Sequence, residues 1–230
     1  WFELRPCDYY DEFDKPEIVW SDISKLPRFS WNDTGDYLNN TGFFISQASF
    51  HLLGLLQSRV LWFAMSQMAQ PLRLRAGLWQ YRVIPQFVER LPIPALTAQQ
   101  ESDLAALAEE ITALARARYQ GHEDFRQTLI NEFDGDAIST RVALYRWWEL
   151  DDAKALSDEV KKRFGQEIPL TARKDWRGFL AEGKSAHDEQ TQAIIAAETR
   201  LNAIVYDAFD LTPEERALIE ATTKYPYGEV

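Results

Sequence analysis

The chain has 230 residues, 46% of them hydrophobic and 27% charged, with a formal net charge of −11 and one cysteine. That length buries one good core or two small ones, the balance is that of a globular chain, and a lone cysteine excludes an internal disulfide framework and fits a reducing compartment. The longest apolar run, "FHLLGLLQSRVLWFAM", is cut by Arg59, so no membrane span is expected, and a sequence pI of 4.8 argues against non-specific binding of polyanions.

The opening "WFELRPCDYYDEF" has neither a basic n-region nor an apolar h-region, so it does not read as a signal peptide. It lacks an initiator Met and starts mid-pattern on aromatics, and the chain is read as a piece of a longer polypeptide. Cys7 stands beside Asp8 and Asp11, whose charges disfavour a thiolate; it reads as an ordinary part-buried residue. Asp8, Asp11, Glu12 and Asp14 lie close together and need no special site to be solvated.

Strands are expected at "EIVWSDI" (17–23) and, after the turn-forming "NDTGDYLNN", at "TGFFIS" (41–46). The period then changes. Leu52, Leu55, Leu56, Val60 and Phe63 recur at helical spacing, which predicts a buried helix over 49–68 despite Gly54. "LWQYRVI" reads as another strand and "PQFVERL" as one or two helical turns. After Pro92-Ile93-Pro94 the character shifts: Thr97 with Gln100 forms a capping box, and Leu104, Leu107, Ala108, Ile111 and Leu114 stripe a long helix to about Tyr119. Further helices are expected over 123–133, 138–149, 153–164 and 172–182. A second long one is expected over 185–209, striped by Ile194, Ala197, Leu201, Ile204, Val205 and Ala208. Thr212, Pro213 and Glu215 start a last short helix. The fold class is therefore α+β. A small mixed target domain (1–95) precedes a mainly helical region (96–230) in which two long striped helices pair antiparallel.

Charge follows the same division. Residues 1–95 hold nine Lys and Arg against ten Asp and Glu, whereas residues 96–230 hold sixteen against twenty-six. The acidity belongs to the second half, which leaves room for a local basic face in the first.

Catalytic constellations fail one by one. There is no phosphate loop, no G-x-G-x-x-G and no G-x-S-x-G elbow. His51, His122 and His187 stand in separate segments without a partner at ligand spacing, so no metal site is expected. Glu182-Gly183-Lys184 matches the end of a nuclease motif, but at a predicted helix end rather than on the central strand such sites require. What remains is "QPLRLRAGLWQYRVIPQFVERLPIP", which gathers Arg73, Arg75, Arg82 and Arg90 around Trp79 and Tyr81. Arginine contacts phosphates without sequence preference and reads guanine edges bidentately; Gln67, Gln70 and Gln80 suit adenine edges, and Trp79 or Tyr81 suits stacking. The competing expectation is that these arginines pair internally with the acids of 8–14.

Taken together, "WFELRPCDYYDEFDKPEIVWSDIS", "NNTGFFI", "LLGLLQSRVLWFAMSQ" and "RAGLWQYRVIPQFVERLPIP" occur in the order that resembles the C-terminal target-recognition region of adenine-specific DNA methyltransferases. The likeness is to bifunctional type IIG restriction-modification enzymes and related phage-exclusion methyltransferases; the passage from "LLGLLQS" to "LPIP" also resembles type I specificity subunits. "WRGFL", "LNAIVYDAFDLTPEERALIE" and "YPYGEV" look like the usual end of such polypeptides. The resemblance implies a DNA reader attached to an upstream methyltransferase domain that binds S-adenosylmethionine, with Mg²⁺ where a nuclease is present, and no cofactor within this chain. It implies double-stranded DNA as partner, a cytoplasmic setting, and Arg73, Arg75, Gln80, Tyr81 and Arg82, with Gln70 and Arg28, as contacts. Two departures stand out: Glu17 replaces a family lysine, and Ala76-Gly77 replaces a glycine pair. The alternative is a protein-interaction module of a phage-defence complex, with the acidic helices as partner surface.

Overall fold

The computed structural model describes residues 10–229; Cys7 and Asp8 lie outside the described residues. The chain is α+β, with two small antiparallel sheets ahead of a mainly helical region that contains two long helices. It divides into two compact units, 1–112 with 195–230, and 113–194.

The first unit opens with β1 (Glu17–Ser21), β2 (Ile23–Ser24), β3 (Ser30–Asn32) and β4 (Gly42–Ser46). The first sheet runs β3-β1-β4, both pairings antiparallel. Ile18 and Trp20 alternate along β1 and turn inward, as the period-2 pattern demands. Glu17 is 0% exposed. It accepts a 3.3 Å hydrogen bond from Asn32 Nδ2, while its Oε1 has no partner. Burial, first of all, pushes this carboxyl above its ordinary range.

Next come α1 (Phe50–Gln57) and α2 (Arg59–Met68), where a single helix was expected. The break falls at Ser58, whose backbone is extended and whose hydroxyl accepts from Leu61 N to cap α2. The N–H of Arg59, freed by the break, is taken up by Asn202 Oδ1 at 2.8 Å. Gly54 answers a packing need, because a Cβ there would lie 3.3 Å from Leu201 Cδ1 and 3.4 Å from the Leu104 carbonyl.

The second sheet orders β2-β6-β5, with β5 (Pro71–Arg75) and β6 (Leu78–Arg82) forming a hairpin. Trp20 Nε1 donates to Val83 O at 2.7 Å and so ties the first sheet to the end of β6. After α3 (Pro85–Val88), Thr97 and Gln100 make the expected reciprocal cap: Gln100 N donates to Thr97 Oγ1 and Thr97 N to Gln100 Oε1. The same cap recurs at Thr212 and Glu215, which start α7 (Pro213–Thr223). Leu55, Leu61, Met65, Leu104, Leu201 and Val205 are among the buried side chains of this unit's core. Each contributes roughly 1.5–3 kcal/mol by leaving water.

Both long helices outrun their expected ends. α4 is Ala98–Glu132 and α6 is Arg173–Ala208, so neither Gly121 nor Gly183 breaks a helix. Interior glycine costs only about 1 kcal/mol relative to alanine, and packing outweighs it. At 183 a glycine is needed, since a Cβ would sit 2.8 Å from the ring of Trp147.

The second unit packs the later part of α4 and the earlier part of α6 with a 3-10 segment (Ala143–Glu149) and α5 (Ala153–Phe164). The 3-10 segment stands where an α-helix over 138–149 was expected. α5 is capped by Asp152, which accepts from Lys154 N and Ala155 N, and stops at Gly165 with φ 71°. Trp147 stacks on Phe125 at 3.9 Å in the centre of this core. Here the long helices run antiparallel: Arg118 Nη1 donates to Thr191 Oγ1, and four residues further along α4 His122 meets His187.

Candidate nucleic-acid interface

The hairpin turns on Ala76 and Gly77, with φ of 51° and 77°. Two positive values suit the right-handed twist of the flanking strands, but alanine bears a steric cost that Gly or Asn avoids. Arg73 stands opposite Gln80, Leu74 opposite Trp79 and Arg75 opposite Leu78, with an irregularity between Pro71 and Arg73. Side chains alternate between faces, so Arg73, Arg75, Gln80 and Arg82 share one side of the ribbon. Leu74, Trp79 and Tyr81 share the other.

The arginine face is open. All five residues of β5 are exposed, as is Arg82. Arg73 Nε donates to Gln80 Oε1 at 2.6 Å, which orients both groups and leaves the Gln80 amide N–H donors without a partner among the described residues. Arg82 Nη2 lies 3.6 Å from Asp22 Oδ2. This is a partly exposed pair of the kind worth at most about 1 kcal/mol. Arg75 has no hydrogen-bond or ion-pair partner among the described residues. Of the described acids of 8–14, Glu12 pairs with Lys15, and none of Asp11, Glu12 and Asp14 forms a hydrogen bond or ion pair with a hairpin arginine.

The remaining sequence candidates fall elsewhere. Tyr81 lies on the inner face, its ring edge-on to Trp62 with centroids 5.9 Å apart. Gln70 is exposed at the foot of β5, and Arg28 is exposed between β2 and β3. Glu17 is sealed inside and offers nothing to a phosphate. Glu182-Gly183-Lys184 lies within α6, where Lys184 Nζ donates to the Leu150 carbonyl. Among the described residues no group of three or more His, Cys, Asp or Glu is arranged to hold a metal ion.

Two polar clusters escaped the sequence reading. Arg59, 3% exposed, donates to Thr223 Oγ1 at 2.9 Å and to the Tyr225 carbonyl at 2.6 Å, and lies over the rings of Tyr225 and Tyr227 at 4.3 and 4.1 Å. Its Nε stands 3.2 Å from Glu220 Oε2 but outside hydrogen-bond geometry, so that contact is ionic. Glu220 in turn accepts from Tyr206 and Tyr227. Burial drives the Tyr206 and Tyr225 hydroxyls well above the ordinary tyrosine range, and pushes Tyr227 up to about 12. The second cluster, in the other unit, joins His122 Nε2 to His187 Nδ1 at 2.9 Å, with Trp148 stacked on His122 at 3.7 Å. No spacing within one segment signals either cluster, since the partners come from distant parts of the chain.

A family profile described as "Domain of unknown function (DUF8810)" matches residues 97–205, from the cap of α4 into α6, and leaves the hairpin outside the match. No curated protein and no solved structure matches the chain.

Proposed function

We propose that this chain reads DNA sequence as the target-recognition part of an adenine-specific DNA methyltransferase of the type IIG or phage-exclusion kind, working in the cytoplasm in restriction-modification defence. The observation that carries the reading is the outer face of the β5–β6 hairpin, where Arg73, Arg75, Arg82 and Gln80 stand together and open in a chain of net charge −11. A two-stranded ribbon fits the roughly 12 Å wide major groove of B-DNA, and guanidinium and amide groups are the donors that read phosphates and purine edges there. The family resemblance of the motifs in 1–95 supplies the enzyme class. On this reading S-adenosylmethionine and any Mg²⁺ belong to catalytic domains of the same polypeptide outside this sequence, and the acidic helices act as a spacer and docking surface held off the duplex.

The test is a titration of the protein against labelled duplex across about 50–200 mM salt. Affinity is expected to fall linearly on a log–log plot, and Arg73→Ala and Arg75→Ala each to flatten the slope by about one. Unchanged slopes assign these arginines to structure alone. No binding at low salt removes the reading and leaves the protein-interaction module in its place.

A further inference from the structure

Behind the hairpin, on the face opposite the arginines, lies a cleft of about 540 Å³ between β5–β6, α2 and the end of α7. Trp62, Trp79 and Tyr81 line it, together with Gln67, Lys25 and Lys224. In an acidic protein its lining carries two cations and no carboxylate.

Both lysines are without a hydrogen-bond or ion-pair partner among the described residues, whereas Lys15, Lys154, Lys161 and Lys162 each have a carboxylate. The Trp62 indole N–H and the Tyr81 hydroxyl have no hydrogen-bond partner among the described residues, and neither atom is sealed from solvent. Trp79 is 48% exposed beside Leu74, an apolar surface left open among the described residues. The cleft thus offers the half-exposed ring of Trp79, unpaired donors and unpaired positive charge, within the volume range of small-ligand sites.

We infer that this cleft binds one unstacked nucleotide of a DNA strand, its base lying against Trp79 and its phosphate held by Lys25 and Lys224. Aromatic platforms combined with positive charge are how proteins hold unpaired nucleic acid without reading its sequence. The inference rests on the duplex-binding reading. The arginine face holds the paired strands and the aromatic face takes a base that has left the stack.

The experiment compares the protein's binding to a paired duplex with its binding to the same duplex carrying one extra, unpaired 2-aminopurine. The bulged duplex is expected to bind roughly tenfold tighter, with the probe's fluorescence quenched on binding. Trp79→Ala is expected to abolish both the preference and the quenching while binding of paired duplex persists. Lys25→Ala with Lys224→Ala reduces the preference without touching the hairpin, a check if the tryptophan variant folds poorly. Equal affinity for the two duplexes overturns the inference and spares the duplex reading. A preference that survives Trp79→Ala overturns the cleft as its source. Tight binding of free dAMP without any bulge preference reassigns the cleft to mononucleotides and also overturns it. Failure to bind either duplex removes both proposals together.

Discussion

Arg59 shows how one side chain can decide a local structure. A buried guanidinium is tolerable only when its charge and most of its donors are matched; here Thr223 and Tyr225 accept from its two terminal nitrogens, Glu220 balances its charge, and two tyrosine rings cover its faces. Arg59→Met strands a carboxylate and a carbonyl and is expected to cost about 3 kcal/mol in urea unfolding, and Arg59→Lys nearly as much because it lacks the planar fork. A loss below about 1 kcal/mol contradicts this account. Glu17 is the opposite case, a carboxyl half satisfied in an apolar setting. Its folded pKa is raised, so the folded state holds the proton more tightly than the unfolded chain, and the group's penalty grows as pH rises through the carboxylate range. Glu17→Gln is therefore expected to stabilise the protein at pH 7 and to lose that advantage near pH 4; equal effects at both refute the assignment. At the hairpin tip, Ala76→Asn relieves a positive φ and is expected to add about 0.5–1 kcal/mol, read from thermal unfolding.

At the level of elements, the contact between α4 and α6 in the second unit carries a pH signature. Burial, then the neighbouring His187, Arg126 and Arg118, hold His122 down at about 4 against the opposing pull of Glu123. Burial and Arg118 also lower His187. Both folded values lie below the unfolded one, so the unfolded chain binds protons first, and stability present above about pH 6.5 is lost as pH falls toward 4. The thermal midpoint should drop over that window, and drop less in His122→Gln; identical pH profiles would remove the pair from the explanation. The elements also show what could be read ahead of the coordinates. Caps and apolar stripes announced α4, α6 and α7 because they are local signals. The expected ends of the long helices fell short, since Gly121 and Gly183 are weak breaks against packing that only the fold displays. No strand is expected at β5 although "LRLR" alternates, because Pro71 and two arginines obscure its strand character. The exposed arginine face was legible as charge out of place. The Arg59 and His122 clusters were not, because each joins residues at least 65 apart in sequence.

For the whole molecule, two cores imply separable stability. The first unit holds both sheets and the hairpin, and within it Glu110 of α4 and Arg200 of α6 meet at 3.1 Å. Replacing 113–194 by a short Gly-Asn loop is therefore expected to leave a cooperatively folding unit that still binds duplex, checked by circular dichroism and titration. A molten product would show that the two cores depend on each other. The hairpin carries one more consequence. Among the described residues β5 is the outermost strand of its sheet, and an edge without a strand partner is a template on which a second chain can add. Proline at its start and like charges along its length discourage such stacking. Exchanging Arg73 and Arg75 for leucines would thus do more than weaken a contact: it would turn the protein toward fibrillar growth, visible in light scattering long before any loss of helical signal.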